Sequence, residues 1–167
     1  EVLSSIGFAH RPDPGTLGFE PHAGLTPIGY LAQIGFLEAS PTLVHCVKVS
    51  DDDIRLIARH RCPVVTCPRS NANLSCGVFP WKKFVEAGVS IALATDSVVS
   101  AHSLDLGAEL ATAFERYGPD FDLGLGLEWL TAGGSRALRR PVEVIRPGCR
   151  VDALAYVNLT SQATGGT

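Results

Sequence analysis

The 167-residue chain contains no methionine. It begins at Glu1, so the expectation is a segment of something longer. No apolar run reaches the roughly 18 residues a membrane-spanning helix needs, and no charged-then-apolar leader opens the chain. Membrane partners are therefore not expected, and a cytoplasmic address is. An excess of positive charge is also missing: 14 Lys and Arg face 17 Asp and Glu, for a net charge of −3. The basic residues are scattered, which argues against nucleic acid as a partner. Neither a G-x-G-x-x-G nor a P-loop occurs, so a doubly wound nucleotide-binding module has no fingerprint here. The five cysteines, Cys46, Cys62, Cys67, Cys76 and Cys149, show no C-x-x-C spacing. Four of them lie on or beside expected strands, so they read as reduced core residues and not as a disulfide frame or zinc cluster.

What is present is a globular composition, 46% hydrophobic and 19% charged. The first 24 residues, rich in Gly and Pro, read as a loop or excursion. Thr26 as a cap and Pro27 at the first helical position open a short helix in "LTPIGYLAQIGFL". Thr42 to Val49 reads as a strand, and "SDDDIRLIARHR" as a helix with Ser50 and Asp53 in a capping-box arrangement. Cys62 to Cys67 is a second strand, followed by the loop "PRSNANLSCGVF". A helix, "PWKKFVEAG", leads to a third strand, Val89 to Thr95, and Leu104 to Tyr117 forms a closing helix. Near-continuous hydrophobic strands alternating with helices indicate an α/β fold with a parallel sheet. A further helix at about Leu125 to Leu138 precedes "RPGCRVDALAYVNL", a turn and a strand.

In parallel α/β folds the site lies where the carboxyl ends of the strands meet their loops. Asp96 ends the third expected strand, where an unpaired carboxylate would be costly. His45 falls within the first strand. Each alone has an ordinary reading, a hydrogen-bonded core histidine or a capping aspartate. Together they can hold a divalent metal and polarise its water, and imidazole with carboxylate suits zinc or iron. The loop after the second strand supplies Arg69, Ser70 and Asn71. His10 and His22 read as solvated loop residues and His60 as a helix-terminal cation. His102, beyond Asp96, is a weaker candidate.

Five ordered segments, "LVHC", "CPRSNANLSCG", "EAGVSIALATDSVVSAHSLD", "LTAGGSRAL" and "IRPGCRVDALAYV", resemble the second half of a metal-dependent amidohydrolase. The similar branch is the cytosine deaminase and chlorohydrolase-like one, which includes S-adenosylhomocysteine, guanine and aminofutalosine deaminases. The resemblance spans about Leu25 to Leu159. It implies the C-terminal half of a (β/α)8 TIM-like barrel, with the three strands as its sixth, seventh and eighth. Residues 1–140 would be partial barrel and 141–167 the start of a small β subdomain with a flexible tail. It further implies a hydrolase of non-peptide carbon–nitrogen bonds, deaminating a purine-like or related small molecule with one divalent metal, zinc or else iron. Asp96 would be a metal-binding, proton-shuttling aspartate, and His45 a metal ligand or a contact to water or substrate. Ser70 and Asn71 fall on the family's "SN" segment beside the pocket, and Arg69 would meet a polar or anionic substrate group.

The family's first-strand H-x-H and its H-x-x-E have no counterpart, and His10 in "FAHRPD" does not match. Lys48 and Ala101 also depart from the usual pattern, the latter where an asparagine is common. A catalytic zinc takes three or more protein ligands, so the segment alone is expected to bind metal poorly and to be inactive. Uncovered sheet edges would favour self-association as a homo-oligomer. The alternative reading is a catalytically inactive remnant or an α/β binding module.

Overall fold

A computed structural model describes residues 24–142. Thr26 starts α1 (Pro27–Gln33): its Oγ1 accepts the Gly29 amide at 3.0 Å, and Pro27 sits where a missing N–H leaves nothing unpaired. A 3₁₀ turn, Phe36–Ala39, buries Leu37 and leads to β1 (Leu43–Val44). Ser50 caps α2 (Asp51–Arg59) through the anticipated box, its Oγ accepting the Asp53 amide at 3.1 Å while Asp53 accepts the Ser50 amide at 2.9 Å. Then follow β2 (Val64–Thr66), α3 (Pro68–Asn73), α4 (Trp81–Glu86) and β3 (Ile91–Leu93). Beyond them come α5 (Val98–Ala101), α6 (Leu106–Tyr117) and α7 (Leu123–Glu128). A π-helical turn (Trp129–Gly133) runs directly into α8 (Gly134–Ala137).

The three strands form one parallel sheet in the order β1-β2-β3, with Leu43 opposite Val64 and Val64 opposite Ile91. The alternation of strand and helix matches the expected α/β organisation. Several local expectations change, and β2 and β3 are three residues long where six and seven were expected. The first strand is two residues long, not eight, because His45 and Cys46 adopt φ of 69° and 45° and the Cys46 amide turns back onto the Val44 carbonyl. Left-handed backbone cannot continue a ladder. His45 therefore stands just past the strand and not within it. The supposed loop after β2 contains α3, and the segment after Asp96 contains α5. The helix expected over 125–138 is interrupted by the π turn. A Cβ added to Gly133 in that turn would lie 2.0 Å from the Ile91 carbonyl oxygen, so glycine is what lets this backbone rest on β3.

The core joins the sheet's apolar residues to an aromatic group, Phe79, Trp81, Phe84, Tyr117, Phe121 and Trp129. Phe79 stacks on Phe84 with centroids 4.8 Å apart, and Phe121 meets Trp129 at 5.1 Å. Burying each ring contributes about 1.5–3 kcal/mol, and each well-oriented pair about 0.5–1.5 kcal/mol more. The polar handles are paired: Trp81 Nε1 donates to the Tyr117 carbonyl at 3.1 Å, and the Tyr117 hydroxyl lies 2.8 Å from Thr66 Oγ1. This packing holds β2, β3, α4 and α6 together and leaves the carboxyl ends of the strands to carry polar residues. Among the described residues no helix is long and apolar enough to cross a membrane. The expected β subdomain, Cys149, His10 and His22 lie outside the described residues.

Candidate functional site

Three chain segments meet beyond the carboxyl end of the sheet. The His45 amide still bonds the Val65 carbonyl at 2.8 Å, so β2 sets the height of the imidazole although β1 has ended. Cys67 turns the chain after β2 into α3. Asp96 lies three residues past β3 with φ 62°. Left-handed backbone outside glycine costs about 1–3 kcal/mol and gathers at functional positions. Here it aims His45 and Asp96 at each other: Nε2 and Oδ2 are 3.8 Å apart, and both side chains are partly exposed.

Each member is held by α3. Ser70 Oγ donates to Asp96 Oδ2 at 2.6 Å, and Ser100, one turn into α5, donates to the same oxygen at 3.0 Å. The Ser70 hydroxyl, above all, holds the Asp96 carboxyl below its ordinary range; Ser100, the Ser97 amide and His45 act in the same direction against the effect of burial. Asp96 is thus a carboxylate at neutral pH. His45 Nδ1 lies 3.0 Å from Asn71 Oδ1, an atom that only accepts, so Nδ1 is the donor in this contact and Nε2 is the ring atom turned toward Asp96. Asn71 is buried, and its Nδ2 has no hydrogen-bond partner among the described residues.

With Nε2 protonated the two atoms form an ion pair, and with Nε2 bare they are two donors for a cation. Donors about 2.1 Å from one tetrahedral zinc are about 3.4 Å apart, so the 3.8 Å separation is about 0.4 Å wider than two ligands of one ion require. No group of three or more His, Cys, Asp and Glu side chains gathers for a metal among the described residues. The thiols do not add to the pair. Burial, reinforced by Cys62 and Asp53, pushes Cys46 up to about 11, and burial reinforced by Asp96 and Glu109 pushes Cys67 up to about 12. Cys46, Cys62, Cys67 and Cys76 are all free, as read from their spacing.

All five candidate residues thus fall in one neighbourhood, with α3 supplying three of them. The Arg69 guanidinium points along the rim, donating from Nη1 to Ser103 Oγ at 2.8 Å. His102 ends α5 in a left-handed cap, and His60 caps α2 at the far side of the sheet. Two residues escaped the sequence reading. Ser100 carried a weak signal, being four residues beyond Asp96. Glu109 accepts the Arg69 amide at 3.0 Å and is fully buried. Its signal was the spacing Glu109, Ala113, Tyr117, an acid on the buried stripe of α6.

This architecture has known counterparts. Residues 20–163 match the amidohydrolase family, and the chain belongs to it. Among its relatives is the aminodeoxyfutalosine deaminase of Deinococcus radiodurans, 45% identical over 132 residues that cover 79% of this chain and 31% of that protein. The 5-methylthioadenosine/S-adenosylhomocysteine deaminase of Pelotomaculum thermopropionicum is 31% identical over 138 residues, covering 78% of this chain and 32% of that one. The chain therefore spans about a third of the length of these relatives. An adenosine deaminase structure from Xanthomonas campestris with bound zinc superposes with a TM-score of 0.64 at 30% identity, over 71% of this chain and 28% of that one. An atrazine chlorohydrolase from Arthrobacter aurescens complexed with zinc shares the fold, with a TM-score of 0.66 at 22% identity over 71% of this chain and 28% of that one.

Proposed function

We propose that this chain is the carboxyl-terminal part of a metal-dependent deaminase acting on an adenosine-like small molecule, its strands being the last three of a (β/α)8 barrel. The parallel order β1-β2-β3, with a helix after each strand, supports the barrel assignment. One observation carries the chemistry: His45 Nε2 and Asp96 Oδ2 face each other at 3.8 Å across the carboxyl ends of β1 and β3. His45 and Asp96 are two ligands for zinc, or alternatively iron, and the others would come from outside the described residues. When bound, such an ion makes water nucleophilic at neutral pH and so able to attack a ring carbon bearing an amine.

Asp96 takes the proton released as water attacks and passes it toward the departing nitrogen, which leaves as ammonia. Its carboxyl is held below the ordinary range, so it enters the cycle ionised. Ser70 and Ser100 keep its Oδ2 in place while it does so. His45, its tautomer set by Asn71, orients the water or a polar atom of the substrate. Ser70 and Asn71 are buried and act by holding this pair, and Arg69, 17% exposed in its side chain, is the member of the trio with open surface for a polar substrate group.

In the full-length protein Asp96→Asn should lower turnover of adenosine-type nucleosides by a factor of at least about a hundred, the usual worth of a positioned acid–base group. Turnover near the wild-type rate would remove Asp96 from the reaction. Zinc or iron at one ion per full-length chain is the expected metal content, and a protein without either would favour the inactive-remnant reading.

A further inference from the structure

The geometry points to Glu109 as a positioning residue that acts through α3 on both members of the reacting pair. The inference rests on the reading of His45 and Asp96 given above. α3 begins without a cap of its own: Cys67 offers no capping hydrogen bond, and Pro68 has no N–H. The Arg69 amide is then the first free donor of the helix, and its acceptor comes from another element, Glu109 Oε2 on α6 at 3.0 Å. The next two residues are Ser70, which holds Asp96, and Asn71, which holds His45. One tertiary hydrogen bond therefore sets where two adjacent side chains deliver theirs.

Stability does not explain an acid at this position. Glu109 is 0% exposed, its Oε1 has no hydrogen-bond partner among the described residues, and the Arg69 guanidinium stands 3.9 Å from that oxygen. Burying a carboxylate so incompletely paired carries a desolvation cost that offsets much of what its one short hydrogen bond contributes. Burial accordingly pushes the Glu109 carboxyl above its ordinary range, despite the Arg69 amide and guanidinium. The neighbouring residues of its stripe, Ala113 and Tyr117, show that α6 accepts ordinary core side chains on this face. What leucine could not do is accept the Arg69 amide.

The test compares full-length wild type, Glu109→Leu and Glu109→Gln by melting temperature, by hydrogen exchange of segment 68–74, and by NMR of the 15N-labelled His45 ring at one pH. Glu109→Leu should melt within about 4 °C of the wild-type temperature, exchange segment 68–74 at least tenfold faster, and lose the Nδ1–H pattern of His45. Glu109→Gln, which keeps an acceptor oxygen, should restore both signatures. Wild-type exchange and ring signals in a folded Glu109→Leu protein would overturn the proposal. So would an Arg69 amide that exchanges unprotected in the wild type. Should Glu109→Leu fail to fold, Glu109→Met replaces it, and failure of both overturns the proposal because Glu109 would then serve stability. None of these readouts is a turnover measurement, and melting and hydrogen exchange are compared at equal metal content. An active Asp96→Asn enzyme would sink the reacting pair while leaving them intact.

Discussion

Two corners of this molecule each bury a carboxylate, and they treat it differently. Where α1 meets α2, Asp53 is 3% exposed and satisfied on both oxygens. The Ser50 amide donates to Oδ2 and the Thr26 hydroxyl to Oδ1. Thr26 at the same time caps α1, so a single hydroxyl ties two helix starts together. Where α3 meets α6, Glu109 is equally buried and half unsatisfied. The first corner is built for stability. The second sits directly beneath the side chains that hold His45 and Asp96, and there an unsatisfied oxygen is tolerated for the placement it secures.

The scale for this contrast is set by a position in neither corner. Gly133→Ala places a methyl group against the Ile91 carbonyl, backbone against backbone, and should cost about 3 kcal/mol or more, read as a fall in urea midpoint. Asp53→Ala comes next. It removes the cap box and strands the Thr26 hydroxyl, for a loss of about 2 kcal/mol by the same measurement. Glu109→Leu should fall within about 1 kcal/mol of wild type or gain stability. A loss as large as that of Asp53→Ala would erase the distinction between the corners.

Titration sharpens it further. Because the native state raises the Glu109 carboxyl above 4.5, it holds that proton more tightly than the unfolded chain does, so stability falls as pH rises from 4.5 through the native value. Asp96 has the opposite sign. Its native carboxyl lies below 3.8, so its contribution is present above 3.8 and is lost as pH falls through the lower native value. Glu109→Gln should abolish the first slope and leave the second, as followed by denaturation midpoints across pH. The smallest effect concerns the thiols: Cys46, raised from 9.0 to about 11, should react with a thiol reagent at pH 8 at least roughly tenfold more slowly than free cysteine.

Much of the Asp53 corner could be read from the chain. Ser50 and Asp53 are three residues apart, Thr26 precedes Pro27, and capping is a local affair between neighbours along a helix. The strand-helix alternation was legible for a similar reason, since apolar runs of strand length and amphipathic runs of helix length are local patterns. So was the choice of Asp96, an acid following a seven-residue run of which five residues are apolar. The length of β1 was not, because Val47 and Val49 continue an apolar pattern that the left-handed turn at His45 and Cys46 interrupts. Likewise α3 was hidden, since "PRSNAN" has a loop composition and receives its cap from α6.

The order of residues along this chain determined that it would build parallel strands separated by helices, with His45, Ser70, Asn71 and Asp96 brought toward one end. That much follows from hydrophobic periodicity and caps, which act over a few residues. Only the tertiary structure decided that Ser70 would grip Asp96, that Asn71 would orient His45, and that Glu109 would seat the helix carrying both. Those contacts join residues 26 to 40 positions apart, and their geometry depends on how α6 packs against α3, which no stretch of neighbouring residues encodes.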